Sequence, residues 1–173
     1  LDLAGEGLSI GDETADPFLD GPVSLSAAVR RDQTGTILDR LALDSPAVRV
    51  DGSARLVPGS SAFDLEADLA DVSLLRPDLE GAVRMRGEGE ETEPDLWCVD
   101  LDVDGPYDSA VALQGTAGIT PETAAGTDIA LTASVPDIAP LVPGRSGALA
   151  IEGTAQGTDD RLWTVALDIA GPY

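Results

Sequence analysis

The feature that most constrains this chain is an internal repeat, because residues 63–107 align without a gap onto residues 129–173. Both copies carry a tryptophan at the same point, Trp97 in one and Trp163 in the other. Both copies also end on the tripeptide Gly-Pro-Tyr. Repeats of this length are usually supersecondary units that bury their apolar faces only by stacking on their neighbours. The fold is therefore expected to be a stack of similar units.

A weaker copy of the unit lies upstream, where segment 21–25 corresponds to segment 81–85. We predict one continuous repetitive β segment over residues 1–173. The approximate unit boundaries are 1–62, 63–128 and 129–173. The last copy stops at its Gly-Pro-Tyr turn, and the chain shows no signal peptide and no apolar run long enough to cross a bilayer. We therefore expect it to be a middle piece of a longer protein in which the array continues.

Within each unit the hydrophobic pattern has a period of two. Apolar and polar residues alternate along Phe63–Leu69, Trp97–Val103, Ile129–Val135 and Trp163–Ile169, which predicts antiparallel strands with one buried and one solvated face. Shorter segments of the same pattern lie at Val23–Val29, Val48–Leu56, Val83–Gly87, Ala110–Ala117 and Ala148–Ala155. No helical period is long enough for a helix. The predicted fold class is all-β, with repetitive antiparallel strands in an elongated sheet that is too large to stay flat and curls into an open trough.

The apolar positions of these strands are predicted to form one continuous stripe that lines a hydrophobic groove. The predicted lining residues are Leu65, Leu69, Val83, Met85, Trp97, Val99, Leu101, Val103, Val111, Leu113, Leu131, Val135, Leu149, Ile151, Trp163, Val165, Leu167 and Ile169. Each methylene of an acyl chain gains about 0.8 kcal/mol when it leaves water. A groove lined by aliphatic side chains is therefore predicted to hold lipid tails without specific hydrogen bonds.

Composition excludes several classes of function. The net charge is −22, which disfavours nucleic acid, because phosphate binding requires clustered cations. The chain has no histidine, so it lacks the usual general base and the commonest metal ligand. The single cysteine, Cys98, excludes an internal disulfide and a cysteine-cluster zinc site. We therefore predict no enzymatic activity, no catalytic residues, no metal site and no cofactor.

The alternation is interrupted at the same place in each unit by an aspartate-led segment that ends on proline. These segments are Asp71–Pro77 and Asp137–Pro143, and each is followed by a glycine-led strand, at Gly81 and Gly147. Because aspartate caps helices well and proline stops them, each segment is predicted to form a single helical turn or a bend. This order of two-faced strands, aspartate-led bend and glycine-led strand resembles the repeats of the TamB-like family, which belongs to the AsmA-like groove proteins of Gram-negative envelopes.

The resemblance implies a long sheet folded lengthwise into a trough, known as a β-taco. It implies a periplasmic location, with the full-length protein anchored in the inner membrane and reaching a TamA-like barrel in the outer membrane. The roles it implies are phospholipid transport between the two membranes and assembly of outer-membrane proteins, a branch of protein secretion. The groove would then hold phospholipid acyl chains or an unfolded outer-membrane polypeptide.

A second reading is an extracellular, acidic β-sandwich repeat that is adhesive or structural and stabilised by calcium. The carboxylate-rich runs Asp12–Asp20 and Glu88–Glu93 suit such a protein, since Ca²⁺ takes oxygen ligands. Charge runs are usually solvated loops, which is the prediction for both. The way in which the apolar residues are covered distinguishes the two hypotheses. Sandwiches require a separately closed core in each unit, whereas a trough requires one continuous apolar face across the repeats.

Three smaller predictions concern individual side chains. Arg84 and Arg86 share the polar side of one strand and are predicted to pair with neighbouring carboxylates in preference to phosphate. Trp97 and Trp163 begin equivalent strands and are predicted to be repeated packing anchors. Cys98 falls on the polar side of its strand, and we predict no redox role for it.

Overall fold

The computed structural model describes residues 1–7, 11, 16–158 and 163–172, and these form one antiparallel sheet. The strands are β1 Asp2–Glu6, β2 Pro22–Arg31, β3 Thr36–Asp44, β4 Val48–Leu56, β5 Ala62–Leu69, β6 Val83–Glu93, β7 Leu96–Asp104, β8 Ala110–Gly118, β9 Asp128–Val135, β10 Leu149–Gly157 and β11 Trp163–Ala170. Their order in space is their order in the chain, and β1 and β11 are the two edges. The sheet is therefore an open meander.

The all-β, antiparallel prediction is confirmed, and no α-helix occurs in the described ranges. The described strands form an open, uncurled sheet, so the curl into a trough stays a prediction. The segments between strands include 3-10 turns at Asp16–Leu19, Val72–Leu74, Pro106–Asp108 and Ala124–Gly126. The period-two pattern did not predict β1 or β3. The prediction of a loop over Glu88–Glu93 was wrong, because this run lies inside β6. Residues 12–15 of the other acidic run, like Tyr173, lie outside the described residues.

The repeat is visible in the backbone as well as in the sequence. Gly21, Gly81 and Gly147 occupy equivalent positions in the three copies, and their φ angles are +87°, +118° and +117°. Each faces a proline in a later turn, whose side chain would lie 2.9 to 3.4 Å from an added Cβ. The prolines are Pro46, Pro106 and Pro172. The same contact between a glycine and a proline therefore recurs three times at one end of the sheet. The exact unit boundaries stay a prediction.

The two aspartate-led bends are built alike. The Asp71 carboxylate accepts hydrogen bonds from the backbone N–H of Ser73 at 2.9 Å and of Gly81 at 3.2 Å. Asp137 accepts from Ala139 at 3.0 Å and from Gly147 at 2.9 Å. The first bend includes a 3-10 turn, Val72–Leu74, and the second is a turn, as the sequence predicted. Each carboxylate ties the start of its bend to the glycine before the next strand.

The sheet is a single layer. Substantial contacts between strands join only sequence neighbours, so no second sheet covers the described residues. The accessible surface is 11027 Å², whereas a compact monomer of this mass exposes about 7,900 Å². Only Val23, Ala124 and Ile138 are buried apolar residues in the described part of the chain. The described residues therefore build an extended sheet whose apolar face remains partly open, and they do not form the closed sandwiches of the alternative hypothesis.

Candidate functional site

The candidate site is the apolar face of the sheet. Residues paired across an antiparallel ladder point to the same side, so the pairing registers identify the residues that share this face. One row of paired apolar residues crosses every strand. It runs Leu3, Leu25, Leu43, Val50, Ala67, Met85, Val103, Val111, Ala133, Ile151 and Ile169. The apolar face is therefore continuous from one edge of the sheet to the other.

A second row combines leucines with glycines. Gly52 pairs with Leu65, Leu65 with Gly87, and Gly87 with Leu101. The leucine side chains lie over the glycines: an added Cβ on Gly87 would lie 3.3 Å from Leu101 Cδ1. A single layer has no opposing sheet to pack against, so neighbouring side chains cover the glycine backbone instead. This lateral packing leaves the outer surface of each leucine available to a ligand.

The structure brings all the predicted lining residues to this one face. From Leu65 to Ile151 the strands are flanked on both sides, and the lining residues are partly buried except Val111, which is 38% exposed. Those of β11 are far more open, with Trp163 at 51%, Val165 at 61%, Leu167 at 60% and Ile169 at 62% exposure. The lining of β11 thus differs from the rest because β11 is an edge.

Sequence reasoning missed part of the same face. Leu3, Leu25, Leu43 and Val50 extend it across β1 to β4, and Phe63 lies within it on β5. The weak upstream repeat was the signal that could have found Leu25 and Leu43, because they align with Met85 and Val103 in that repeat.

The two tryptophans lie at equivalent positions, Trp97 second in β7 and Trp163 first in β11, but have different surroundings. Trp97 is partly buried and packs on Phe63, with ring centroids 5.9 Å apart and an interplanar angle of 36°. Trp163 is half exposed at the edge. Trp97 therefore matches the predicted packing anchor, whereas Trp163 is not buried within the described residues.

The opposite face of the sheet is charged. Arg84 Nε donates to Asp68 at 2.6 Å, and Arg86 donates to Glu66 at 2.9 Å, so the predicted pairing with carboxylates is confirmed. The Asp68 carboxylate raises the pKa of Arg84 above its ordinary value. These exposed pairs contribute little stability each, but they leave both guanidinium groups engaged. Cys98 is exposed on this face, as predicted.

An open cavity of about 480 Å³ lies beside β4 to β7, at the end of the sheet that carries the aspartate-led bends. Its lining includes apolar Val48 and Leu69 beside the Arg84–Asp68 pair. Arg49, the other arginine of the lining, bonds to Asp44 at 2.6 Å. Because both arginines already have carboxylate partners, the cavity does not present a ready cation to an anionic ligand, and the apolar face is the stronger candidate.

Within the described ranges, no group of carboxylates and thiols is arranged to hold a metal ion. The helical turns that the structure describes include none with the length and apolar composition needed to span a bilayer. Comparison of the chain with known protein families, curated proteins and solved structures finds no match. The interpretation of the site therefore depends on its geometry and chemistry.

Proposed function

We propose that the apolar face lines an open trough that binds phospholipid acyl chains. In this proposal the chain is a non-enzymatic segment of a periplasmic, TamB-like scaffold that carries phospholipid between the inner and outer membranes or assists outer-membrane protein assembly. The observation that carries the proposal is the row of apolar residues that crosses all eleven strands without a covering layer.

The dimensions of the sheet suit acyl chains. Eleven strands at the usual spacing make an apolar face about 48 Å wide, and sheets of this size usually curl. A curled sheet with its apolar side inward would be a trough open along one side. Each methylene that entered it would gain about 0.8 kcal/mol, with similar side chains at every strand. Weak and similar binding along the path is what lipid movement requires.

The charge distribution favours particular headgroups. A charged headgroup stays at the open rim, because burying it without a partner is costly. The net charge of −22 repels anionic headgroups, and the outer-face arginines Arg84 and Arg86 are engaged by carboxylates. The proposal therefore favours zwitterionic phospholipids over anionic ones.

The cellular part of the proposal rests on the resemblance of the two aspartate-led bends and their glycines. Periplasmic location, an inner-membrane anchor in the full-length protein and contact with a TamA-like barrel all belong to that part. Support from the structure is that both bends recur with the same hydrogen bonds and the same left-handed glycine. Recurrence of the same bend in successive units is what a long array of such units needs.

The test is native mass spectrometry with lipid extraction on the chain purified from a Gram-negative host without harsh detergent. The variant is Leu101→Asp with Leu167→Asp, which places two charges on the apolar face. The matched control is Cys98→Asp with Ala166→Asp, which adds the same two charges to the other face of the same strands. Circular dichroism checks that all three proteins are folded.

The proposal predicts phospholipid bound to the parent and to the control but lost from the folded Leu101→Asp/Leu167→Asp variant. A bound polypeptide in place of lipid, lost in the same variant, would assign the face to outer-membrane protein assembly. A folded parent that carries neither would overturn the proposal.

A further inference from the structure

We propose that the apolar face contains a subsite for the ammonium group of a phospholipid headgroup, formed by Phe63, Glu91 and Trp97 at the hairpin between β6 and β7. The inference rests on the proposed function, because it names the headgroup that the lipid-binding face recognises.

The first observation is a carboxylate on the apolar face. Along β6 this face includes Gly87 and Gly89, and the next alternate residue is Glu91, which pairs with Trp97 of β7. Paired residues of an antiparallel ladder lie on the same side of the sheet. The Glu91 side chain therefore belongs to the face that carries the tryptophan.

Glu91 is held in place and ionised. Its carboxylate accepts hydrogen bonds from the backbone N–H of Ser61 at 3.0 Å and of Asp95 at 3.2 Å. These bonds, that from Ser61 above all, hold the pKa of Glu91 below its ordinary value. Among the described residues no arginine forms an ion pair with it. Its negative charge is therefore available to a cationic ligand.

The second observation is an aromatic pair beside this carboxylate. The Phe63 ring lies over the buried Gly89, where an added Cβ would lie 2.8 Å from Phe63 Cζ. One side of the ring therefore rests on the sheet and the other faces outward, and Phe63 is 38% exposed. Trp97 packs beside it, with the ring centroids 5.9 Å apart. Aromatic faces attract cations, quaternary ammonium groups among them, so the rings and the carboxylate favour the same ligand.

The third observation is a departure from the repeat. The positions equivalent to Phe63, Glu91 and Trp97 in the other strong copy hold Ile129, Gly157 and Trp163. That copy forms the same strands without an aromatic pair and without a carboxylate on the apolar face. The strand packing that the copies share therefore does not require this combination, which points to a task particular to one unit.

The position of the subsite suits a headgroup. From Trp97 to Val103, β7 continues the apolar face for about 20 Å. One acyl chain spans about 15 Å, half of the hydrocarbon core of a bilayer. At the opposite end of the same face β5 and β6 present the aliphatic Leu69 and Val83. A tail that lies along the strands can therefore be covered for its full length while its ammonium group reaches the subsite and its phosphate stays in water.

The test is isothermal titration calorimetry of the lipid-free chain with dioctanoyl phospholipids, below the concentrations at which they form micelles. The headgroups are phosphocholine, phosphoethanolamine and a carbon isostere of phosphocholine, in which a tert-butyl group replaces the trimethylammonium group. The variants are Glu91→Gln and Trp97→Leu. The matched control is Glu90→Gln, which removes one charge from the outer face of the same strand. Circular dichroism checks that every protein is folded.

The parent is expected to bind the choline lipid about tenfold more tightly than its carbon isostere. Repulsion of the isostere by the net charge contributes to this ratio in every protein, so the change between parent and variant reports the subsite. Glu91→Gln and Trp97→Leu are each expected to lower the ratio about threefold, and Glu90→Gln to leave it unchanged. A similar decrease for the ethanolamine lipid would assign the subsite to ammonium groups in general, and a decrease for choline alone to methylated ones.

A substitution that only disturbs packing weakens the choline lipid and its isostere alike. A ratio that Glu91→Gln and Trp97→Leu leave unchanged, or that Glu90→Gln lowers as much, would therefore overturn the inference while lipid binding by the face stood. If the parent binds none of the three lipids, the inference and the proposed function are both overturned.

Discussion

β7 and β11 are copies of one strand in different positions, and they differ in exposure. Each has a tryptophan at or next to its first residue and presents Val, Leu and Val or Ile on the apolar face. In β7 these side chains are partly buried between β6 and β8, whereas in β11 they are 51% to 62% exposed. The residues on the apolar face are nearly the same, so the difference in exposure comes from the neighbouring strands. In a single-layer sheet, burial depends on lateral neighbours, because there is no second layer to supply it.

The largest expected effect comes from placing the same charge in the two strands. Leu101 lies between Gly87 and Leu113, so Leu101→Asp is expected to destabilise the protein by about 3 kcal/mol. Leu167→Asp at the exposed edge is expected to cost about 1 kcal/mol or less. Urea unfolding followed by circular dichroism measures both, with Cys98→Asp and Ala166→Asp as outer-face controls. Equal costs for the two leucine variants would contradict the role of lateral neighbours.

A smaller effect tests whether the mobility of a neighbouring leucine side chain matters more than its distance from a methyl group added at a glycine. An added methyl group would lie 3.3 Å from Leu101 Cδ1 at Gly87 but only 2.7 Å from Leu167 Cδ2 at Gly153. Distance alone predicts that Gly153→Ala is worse. Leu167 can move into solvent, so we expect Gly153→Ala to change the free energy of unfolding by about 0.5 kcal/mol at most, and Gly87→Ala to cost about 1 kcal/mol. The reverse order in urea unfolding would show that the edge strand is as tightly packed as β7.

The smallest effect concerns the two aspartate-led bends. Because the hydrogen bonds to Asp71 and Asp137 are alike, the two carboxylates are expected to contribute equally to stability. Hydrogen bonds from backbone N–H groups hold the pKa of each carboxyl below its ordinary value. The largest contribution comes from Ser73 for Asp71 and from Gly147 for Asp137. The stability this contributes is complete above the unfolded-state pKa of about 4 and is lost as pH falls through the lower folded pKa. Asn in place of either Asp keeps an acceptor oxygen but does not titrate. Each substitution is therefore expected to flatten the acid side of the stability profile to a similar, small extent.

Urea unfolding between about pH 6 and pH 2 checks this expectation. Asp64→Asn, an exposed carboxylate on the outer face, serves as the control. A large difference between the Asp71→Asn and Asp137→Asn profiles would show that the two bends are not equivalent.

The period-two pattern predicted most strands because each one alternates between an apolar and a polar face. It missed β3 because Asp39 and Arg40 stand together between Leu38 and Leu41, where the pairing shifts register. A bulge of this kind changes the phase of the pattern. It misassigned Glu88–Glu93 because glutamate is depleted in strands. There Gly89 lies beneath the Phe63 ring and the glutamates beside it point outward, an arrangement that depends on the neighbouring strand.

The apolar face was predictable over β5 to β7 and β9 to β11 because the strong repeat fixes its phase, and over β8 because that strand alternates on its own. The difference in exposure between β7 and β11 was not predictable, because the two strands carry almost the same residues on the apolar face. The pairing of Arg84 and Arg86 with carboxylates followed from the excess of acidic residues, and the register supplied the individual partners, Asp68 and Glu66.

The most direct test of the central claim is quenching of tryptophan fluorescence by phosphatidylcholine brominated in the middle of its acyl chains. Single-tryptophan proteins retain Trp97 or Trp163 on the apolar face, and a control carries Cys98→Trp on the outer face with both native tryptophans changed to Phe. If the apolar face binds acyl chains, both native tryptophans are quenched and the outer-face tryptophan is not. Quenching that is absent from the native tryptophans, or equal on the two faces, would contradict the claim.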